Sequence, residues 1–403
     1  MNVVAAEEFK FVEYTKQTFK LVLKLNLHGD RTIEDVANLG PSFQFAMPSA
    51  MRTHYVRGTP TPISSSEIAI ASGNLKFPVL CTQISSEDPL IRTKALAKLS
   101  GGLIALKGDA VLAVEAGIVS RLLALLDEPD ATMRGYALSS LTQCTTVGIG
   151  RDALLRDDVF PSLMRPALLN DPSVEARRSL MATMAALCKS TLDAAYVVES
   201  GAVGVLIAFA LDEPDELARS RAIDAVANCT RLPSNEGVVA AVAEGAMELC
   251  VEVLREGGGG IVLCAARLLE RLTHWTDGKQ RALDCRCLDA VCANLQHAMP
   301  EVRAECARTL ANVTVPTRGK LALVSECTEE FVEPLVFLLG LAQPADVQLA
   351  AVAAISTIAA HPKVRKALNV GGAIDALQLC TEDDEPLLQD AARAAIKALQ
   401  WQP

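Results

Sequence analysis

Twelve cysteines and five histidines are the residues of this 403-residue chain best suited to chemistry, yet their spacing supports little of it. Cys285, Cys287 and Cys292 lie close together, with His274 and His297 on either side. A tetrahedral zinc site takes paired ligands at knuckle spacing, and Leu288 stands where a Cys-x-x-Cys starting at Cys285 would place its second thiol. On a helix, side chains two residues apart diverge by about 200°, so Cys285 and Cys287 face different ways. Gly319-Lys320 has the end of a phosphate-binding loop and nothing else of it. Thr314 stands at the required first Gly, and Leu321 where Ser or Thr would hold magnesium. The run Gly257–Gly260 carries no Lys behind it and reads as a loosened turn between helices. No Ser or Cys sits in a nucleophile elbow with a His and a carboxylate in support. The residues predict no enzyme: no catalytic set, no cofactor, no metal and no small-molecule substrate.

The sequence is organised by repetition instead. An acidic residue and a Pro precede an Ala-rich helical pattern at Asp88-Pro89, Asp127-Glu128-Pro129, Asp171-Pro172, Asp212-Glu213-Pro214 and Asp384-Glu385-Pro386. Looser versions stand at Pro300-Glu301 and Pro344-Ala345-Asp346, and Gly257–Gly260 occupies the place of a missing member. The spacing is about 40–44 residues, within the range of armadillo and HEAT arrays and above that of ankyrin or tetratricopeptide repeats. Pro lacks an N–H and fits a first helical turn, and a neighbouring carboxylate can accept from free backbone N–H groups. A second marker, Glu-x-Gly followed by apolar residues, falls between these at Gly117, Gly201 and Gly245, and Gly372 repeats it. Gly there lets the chain turn sharply from one helix into the next.

Between the markers the apolar period is helical. Ala218, Ala222, Ala225, Val226 and Cys229 form one stripe, and Val302, Cys306, Leu310 and Val313 another. The preceding runs, Leu122–Leu126 and Leu335–Leu339, are apolar nearly all round, as for helices sandwiched between neighbours. One unit is therefore a short helix, a Gly, an apolar helix, an acidic-Pro turn and an Ala-rich helix. Such a unit cannot bury its own apolar faces, and stacking buries them. The expected fold is all-α: a right-handed α-solenoid of about eight armadillo-type repeats over 74–403, with a non-repeat extension and linker over 1–73.

Composition agrees. Half of the residues are apolar and only 4% aromatic, which suits closely packed helices. A net charge of −10 argues against nucleic acid and anionic membrane as partners. No apolar run reaches the roughly 18 residues of a membrane span, and Met1–Glu8 does not read as a signal peptide. The cysteines fall inside helical stripes and read as reduced core thiols of an intracellular protein. Residues 1–73 differ in being rich in aromatics, among them Phe9, Phe11, Tyr14 and Phe19. Phe19, Leu21, Leu23, Leu25 and Leu27 alternate as in a strand, with a helix as the competing reading. Two roles stay open for this segment: a docking arm for a partner, or a cap on the first repeat.

The Glu-x-Gly-Ala-Val marker with its Leu-rich and Ala-rich helices resembles the armadillo family over roughly four-fifths of the chain. The resemblance implies a groove lined by third helices, in which Asn228 and Asn312 occupy partner-facing positions. An Asn there can engage an extended peptide through both amide ends, or bond its own array instead. Import receptors pair such Asn with Trp one turn away; Trp275 and Trp401 stand at neither register.

Three stretches give a closer likeness. They are Val147–Arg151 running on to Leu168–Asp171, Val302–Leu310 with Pro316–Lys320, and Trp401–Pro403. They resemble armadillo subunits of the ciliary and flagellar radial spoke. That likeness implies a non-enzymatic scaffold in the cytoplasmic axoneme whose partners are other spoke or axonemal subunits. It adds Arg318 and Lys320, with the aromatic arm, to the candidate partner-binding residues. The alternative is a soluble adaptor that captures a peptide of cargo or signalling partners in the groove.

Overall fold

The computed structural model describes residue 68 and residues 75–103, 107–156, 159–327 and 330–401. The aromatic arm, with Phe9, Phe11, Tyr14 and Phe19, lies outside the described residues. Every regular element among the described residues is helical. By contact, the described residues fall into two units that divide between Ala95 and Leu96. In the first, Lys76–Ile84 buries Phe77, Leu80, Cys81 and Ile84, and a turn leads into the helix Pro89–Lys98. In the second, seven three-helix repeats follow in order. With the preceding pair, they match the expectation of about eight.

The third helices are the spine of the second unit. They run Ala131–Cys144, Val174–Leu187, Glu216–Cys229, Ile261–Leu272, Pro300–Val313, Ala345–Ile358 and Pro386–Gln400. Each packs on the third helices before and after it. Their contact stripes are mostly Ala with Leu, Ile, Val and Cys; Ala218, Ala222 and Ala225 are fully buried. Small side chains let the axes approach closely, so the core is a continuous seam between repeats.

In five of the seven repeats the first helix turns into its second at a left-handed residue. Gly117, Gly201, Gly245 and Gly372 have φ of 80°, 74°, 90° and 81°. At Gly201, helices Thr191–Glu199 and Ala202–Asp212 meet at 85°. Arg286 holds the same place in the fifth repeat at φ 51°, a conformation that costs a non-glycine residue on the order of 1 kcal/mol.

The acidic-Pro turn works differently from the sequence-based expectation in three repeats. Pro129, Pro172 and Pro214 lie outside the helix, and the residue after each is the N-cap. Asp130 accepts from Thr132 N at 2.8 Å, Ser173 from Ala176 N at 3.3 Å and Asp215 from Ala218 N at 2.9 Å. The Pro instead favours an extended residue ahead of it, as at Glu128 and Glu213. Only at Pro300 and Pro386 does Pro enter the first turn of its third helix.

A second set of glycines packs repeat on repeat. Gly150, Gly237, Gly278 and Gly319 open first helices against the carbonyl that ends the preceding third helix. A Cβ at Gly237 would overlap the Cys229 carbonyl, a backbone group that cannot swing aside. This is the physical reason for the Gly in Gly319-Lys320, which meets the Val313 carbonyl in the same way.

Two predictions follow from this packing. Gly237→Ala is expected to lower stability by roughly 3 kcal/mol. Gly108→Ala, with nothing within 4 Å of its added Cβ, should be neutral or stabilising by up to about 1 kcal/mol. Circular-dichroism unfolding of the two variants checks the contrast. Hydrogen bonds from Arg178 hold the Asp215 carboxyl at about 2, below its ordinary 3.8. A depressed folded-state pKa contributes stability above the ordinary value and loses it as pH falls towards the lowered one. Unfolding midpoints across pH 5 to about 2 should fall less for Asp215→Asn than for the wild type.

Candidate functional site

The third-helix face carries the candidate site, and its geometry begins with how repeats are tied together. A guanidinium at the start of a third helix reaches back to the carbonyls that end the preceding turn. Arg134 Nη1 donates to Glu128 O at 2.6 Å and Pro129 O at 2.9 Å. Arg177 Nη1 donates to Asp171 O at 2.5 Å, and Arg303 Nη1 to His297 O at 2.9 Å. Gln348 and Gln389 do the same through their amides in the last two repeats. Arg134 and Arg177, joined by Arg219, also reach forward into the next repeat. Arg134 pairs with the fully buried Asp171 at 2.6 Å, Arg177 with the buried Glu213 at 2.7 Å, and Arg219 with Glu252 at 2.8 Å. Hydrogen bonding to these carboxylates raises the pKa of Arg134 and Arg177 further.

Sequence reasoning missed this ladder. The signal was present: Arg92, Arg134, Arg177 and Arg219 recur at 42 or 43 residues, and Arg303 falls two periods on. Val262 occupies the one empty rung, in the repeat whose turn is Gly257–Gly260.

Further along the same helices, a second ladder lines the groove. Gln143 Nε2 donates to Ser100 O at 2.9 Å and Asn228 Nδ2 to Ala185 O at 3.4 Å. Arg271 Nη1 donates to Ala227 O at 2.6 Å, and Asn312 Nδ2 to Glu270 O at 3.5 Å. Each donor caps a last-turn carbonyl of the preceding third helix. Asn228 and Asn312 therefore do sit at one register of this face, half-buried, but their amide nitrogens are engaged with the neighbouring repeat. Asn312 spends its two amide N–H groups on Glu270 O and Thr273 Oγ1 and keeps only its oxygen for a visitor, whereas Asn228 keeps one N–H with its oxygen. Where Trp would stand one turn earlier, this chain has Asp224, Arg267 and Arg308.

A cavity of about 730 Å³ opens on this face, spanning the third helices of the first four repeats. Asn228 lines it; Asn312 lies further along the same face. Arg318 and Lys320 are not brought to it. They sit on a first helix, where Arg318 pairs with Asp284 at 2.6 Å and Lys320 donates to Val315 O at 2.7 Å. Burial lowers the Lys320 pKa.

All twelve cysteines are free and ten are buried. Burial pushes Cys144, Cys264 and Cys306 up to about 12 and the half-buried Cys285 to about 11. Cys188 and Cys229 meet at 3.6 Å between neighbouring third helices. No group of three or more metal-ligating side chains gathers among the described residues, and no single described helix is long and apolar enough to cross a membrane. At pH 8 the folded chain should label with a thiol reagent chiefly at the two half-buried positions, Cys285 and Cys292. All twelve should label after denaturation, with peptide mapping as the readout.

No protein-family model and no curated protein matches the sequence. Solved structures do. A crystallised engineered protein, 24% identical, aligns over 81% of this chain and 79% of its own with a TM-score of 0.71. A designed armadillo repeat protein, 23% identical, aligns over 60% of this chain and 99% of its own at 0.53. A designed armadillo repeat protein in complex with the peptide (KR)4, 22% identical, aligns over the same shares at 0.53. Together with the three-helix repeats and their seam, these likenesses show that the chain has an armadillo-like repeat fold.

Proposed function

We propose that the chain is a non-enzymatic, protein-binding scaffold. The observation that carries this is the continuous third-helix face. It combines a repeated polar register, an open cavity across four repeats and no assembled catalytic set among the described residues. A designed armadillo repeat protein of similar fold holds a peptide, which supports the same use of this face. The finer reading is a structural subunit of the ciliary or flagellar radial spoke, and what supports it is the likeness of the three sequence stretches. In that setting the array would hold spoke or axonemal neighbours and transmit force without chemistry. A stack of repeats joined by nearest-neighbour contacts suits such work.

Fractionation of cilia tests the finer reading. The protein is expected to stay with axonemes after detergent and to leave them only in high salt or chaotrope. Recovery in the detergent-soluble fraction alone would contradict it. The adaptor reading is favoured by one observation, the cavity, which is placed and sized for a peptide segment.

A further inference from the structure

The chain is acidic overall, at −10, but the groove of the first four repeats has the opposite sign. Arg151, Lys189, Arg221, Arg267 and Arg271 line the cavity against one acidic residue, Asp224. Two of these cations are partly answered: Arg151 pairs with Asp193 at 2.9 Å, and Arg267 lies 4.0 Å from Glu305. The other three pair with no carboxylate among the described residues. Arg221 donates to the Arg178 backbone carbonyl at 2.7 Å, Arg271 to that of Ala227 at 2.6 Å, and Lys189 is exposed. The nearby acids are engaged elsewhere, Glu270 with His274 at 2.7 Å and Glu305 with Arg308 at 3.2 Å. Burial, and then the neighbouring Arg231, lower the Arg271 pKa, while the nearby Glu270 and Glu305 act in the opposite direction.

The contrast with the rest of the array is informative. In the inter-repeat ladder, Arg134, Arg177 and Arg219 each meet a carboxylate of the next repeat. The groove cations, by contrast, gather on an open face with a single carboxylate among them. The polar register supplies the second half of a recognition surface. The Asn228 oxygen, which lies in the cavity lining, is left over once its nitrogen is bonded. Such an acceptor matches an N–H group of an extended backbone.

We propose that the third-helix groove of the first four repeats binds an extended acidic peptide segment. Its carboxylates would meet Lys189, Arg221 and Arg271, and a backbone N–H group the Asn228 amide oxygen. This rests on the reading of the face as a protein-binding surface and gives that reading a sign. Four third helices at roughly 10 Å spacing span about 30 Å, the reach of roughly nine extended residues. The acidic partner is the reverse of the (KR)4 peptide held by the designed relative of similar fold.

Fluorescence anisotropy on the full chain tests it, with three labelled peptides of about ten residues. One alternates Glu and Ala, one has Gln for every Glu, and one alternates Lys and Arg. The Glu peptide should bind, more weakly as salt rises, and the other two should bind at least tenfold more weakly. Lys189→Glu with Arg267→Glu changes two exposed residues, so the fold should survive, as circular dichroism can verify. That double variant should lose affinity for the Glu peptide by tenfold or more, while Lys366→Glu on a distant first helix should not. Equal or tighter binding of the Gln or Lys-Arg peptide overturns the proposal and leaves the protein-binding reading standing. An undiminished double variant also overturns the proposal, because the segment would then sit elsewhere. Failure of all three peptides to bind overturns the proposal and counts against peptide capture by this face altogether.

Discussion

A guanidinium that faces two ways is the contact on which the array depends. At the head of a third helix it closes the turn behind it by capping carbonyls, and it takes a carboxylate of the repeat ahead. Helix ends leave backbone groups without intrahelical partners, and a three-helix repeat has many ends for its size. The ladder satisfies those groups and links neighbours in the same step. A buried ion pair of this kind adds little net stability over an apolar substitute, yet removing one partner strands the other. Arg134 with Asp171 and Arg177 with Glu213 thus hold successive repeats to one register. Where the rung is missing, Val262 accompanies the four-glycine turn, and apolar packing of Ile261, Ala265 and Leu268 is joined by other polar links such as Arg271 to Ala227 O and Asn312 to Glu270 O.

Much of the fold was legible in the sequence because its causes are local and recur. The Glu-x-Gly marker predicted sharp corners between helices, and Gly117, Gly201, Gly245 and Gly372 make them in the left-handed conformation. The Ala stripes predicted a third-helix seam, and Ala218, Ala222 and Ala225 are buried in it. What was not legible depends on partners about 42 residues away. Arg134 on its own reads as a solvated charge; only the fold brings Asp171 to it. The position of Pro129 was misread because Pro fits both the first helical turn and the residue before the cap. Nothing short of the backbone path decides between them.

The candidate site was legible in part. The positions of Asn228 and Asn312 were read from the family resemblance, and both lie at one register of the third-helix face. The engagement of their nitrogens by Ala185 and Glu270 is a contact between repeats, and it changes what the side chains can offer. Arg318 and Lys320, singled out through a family likeness, belong to a first helix away from the cavity. The groove instead draws its character from Lys189, Arg221 and Arg271, which only the fold brings together in one cavity. Structure and recognition use one side-chain chemistry here, with paired guanidinium groups holding repeats together and unpaired ones giving the open face its sign.

The central claim is that each repeat of the second unit is held by its immediate neighbours, through the Ala-rich seam and, in the first repeats, through this ladder. Native-state hydrogen exchange of Asp171→Ala, read helix by helix by mass spectrometry, tests it most directly. Loss of protection confined to the repeats around Ala131–Cys144 and Val174–Leu187, with Ala345–Ile358 and Pro386–Gln400 unchanged, is the predicted result. An even loss of protection along the whole of Leu96–Pro403 would show one indivisible core and contradict it.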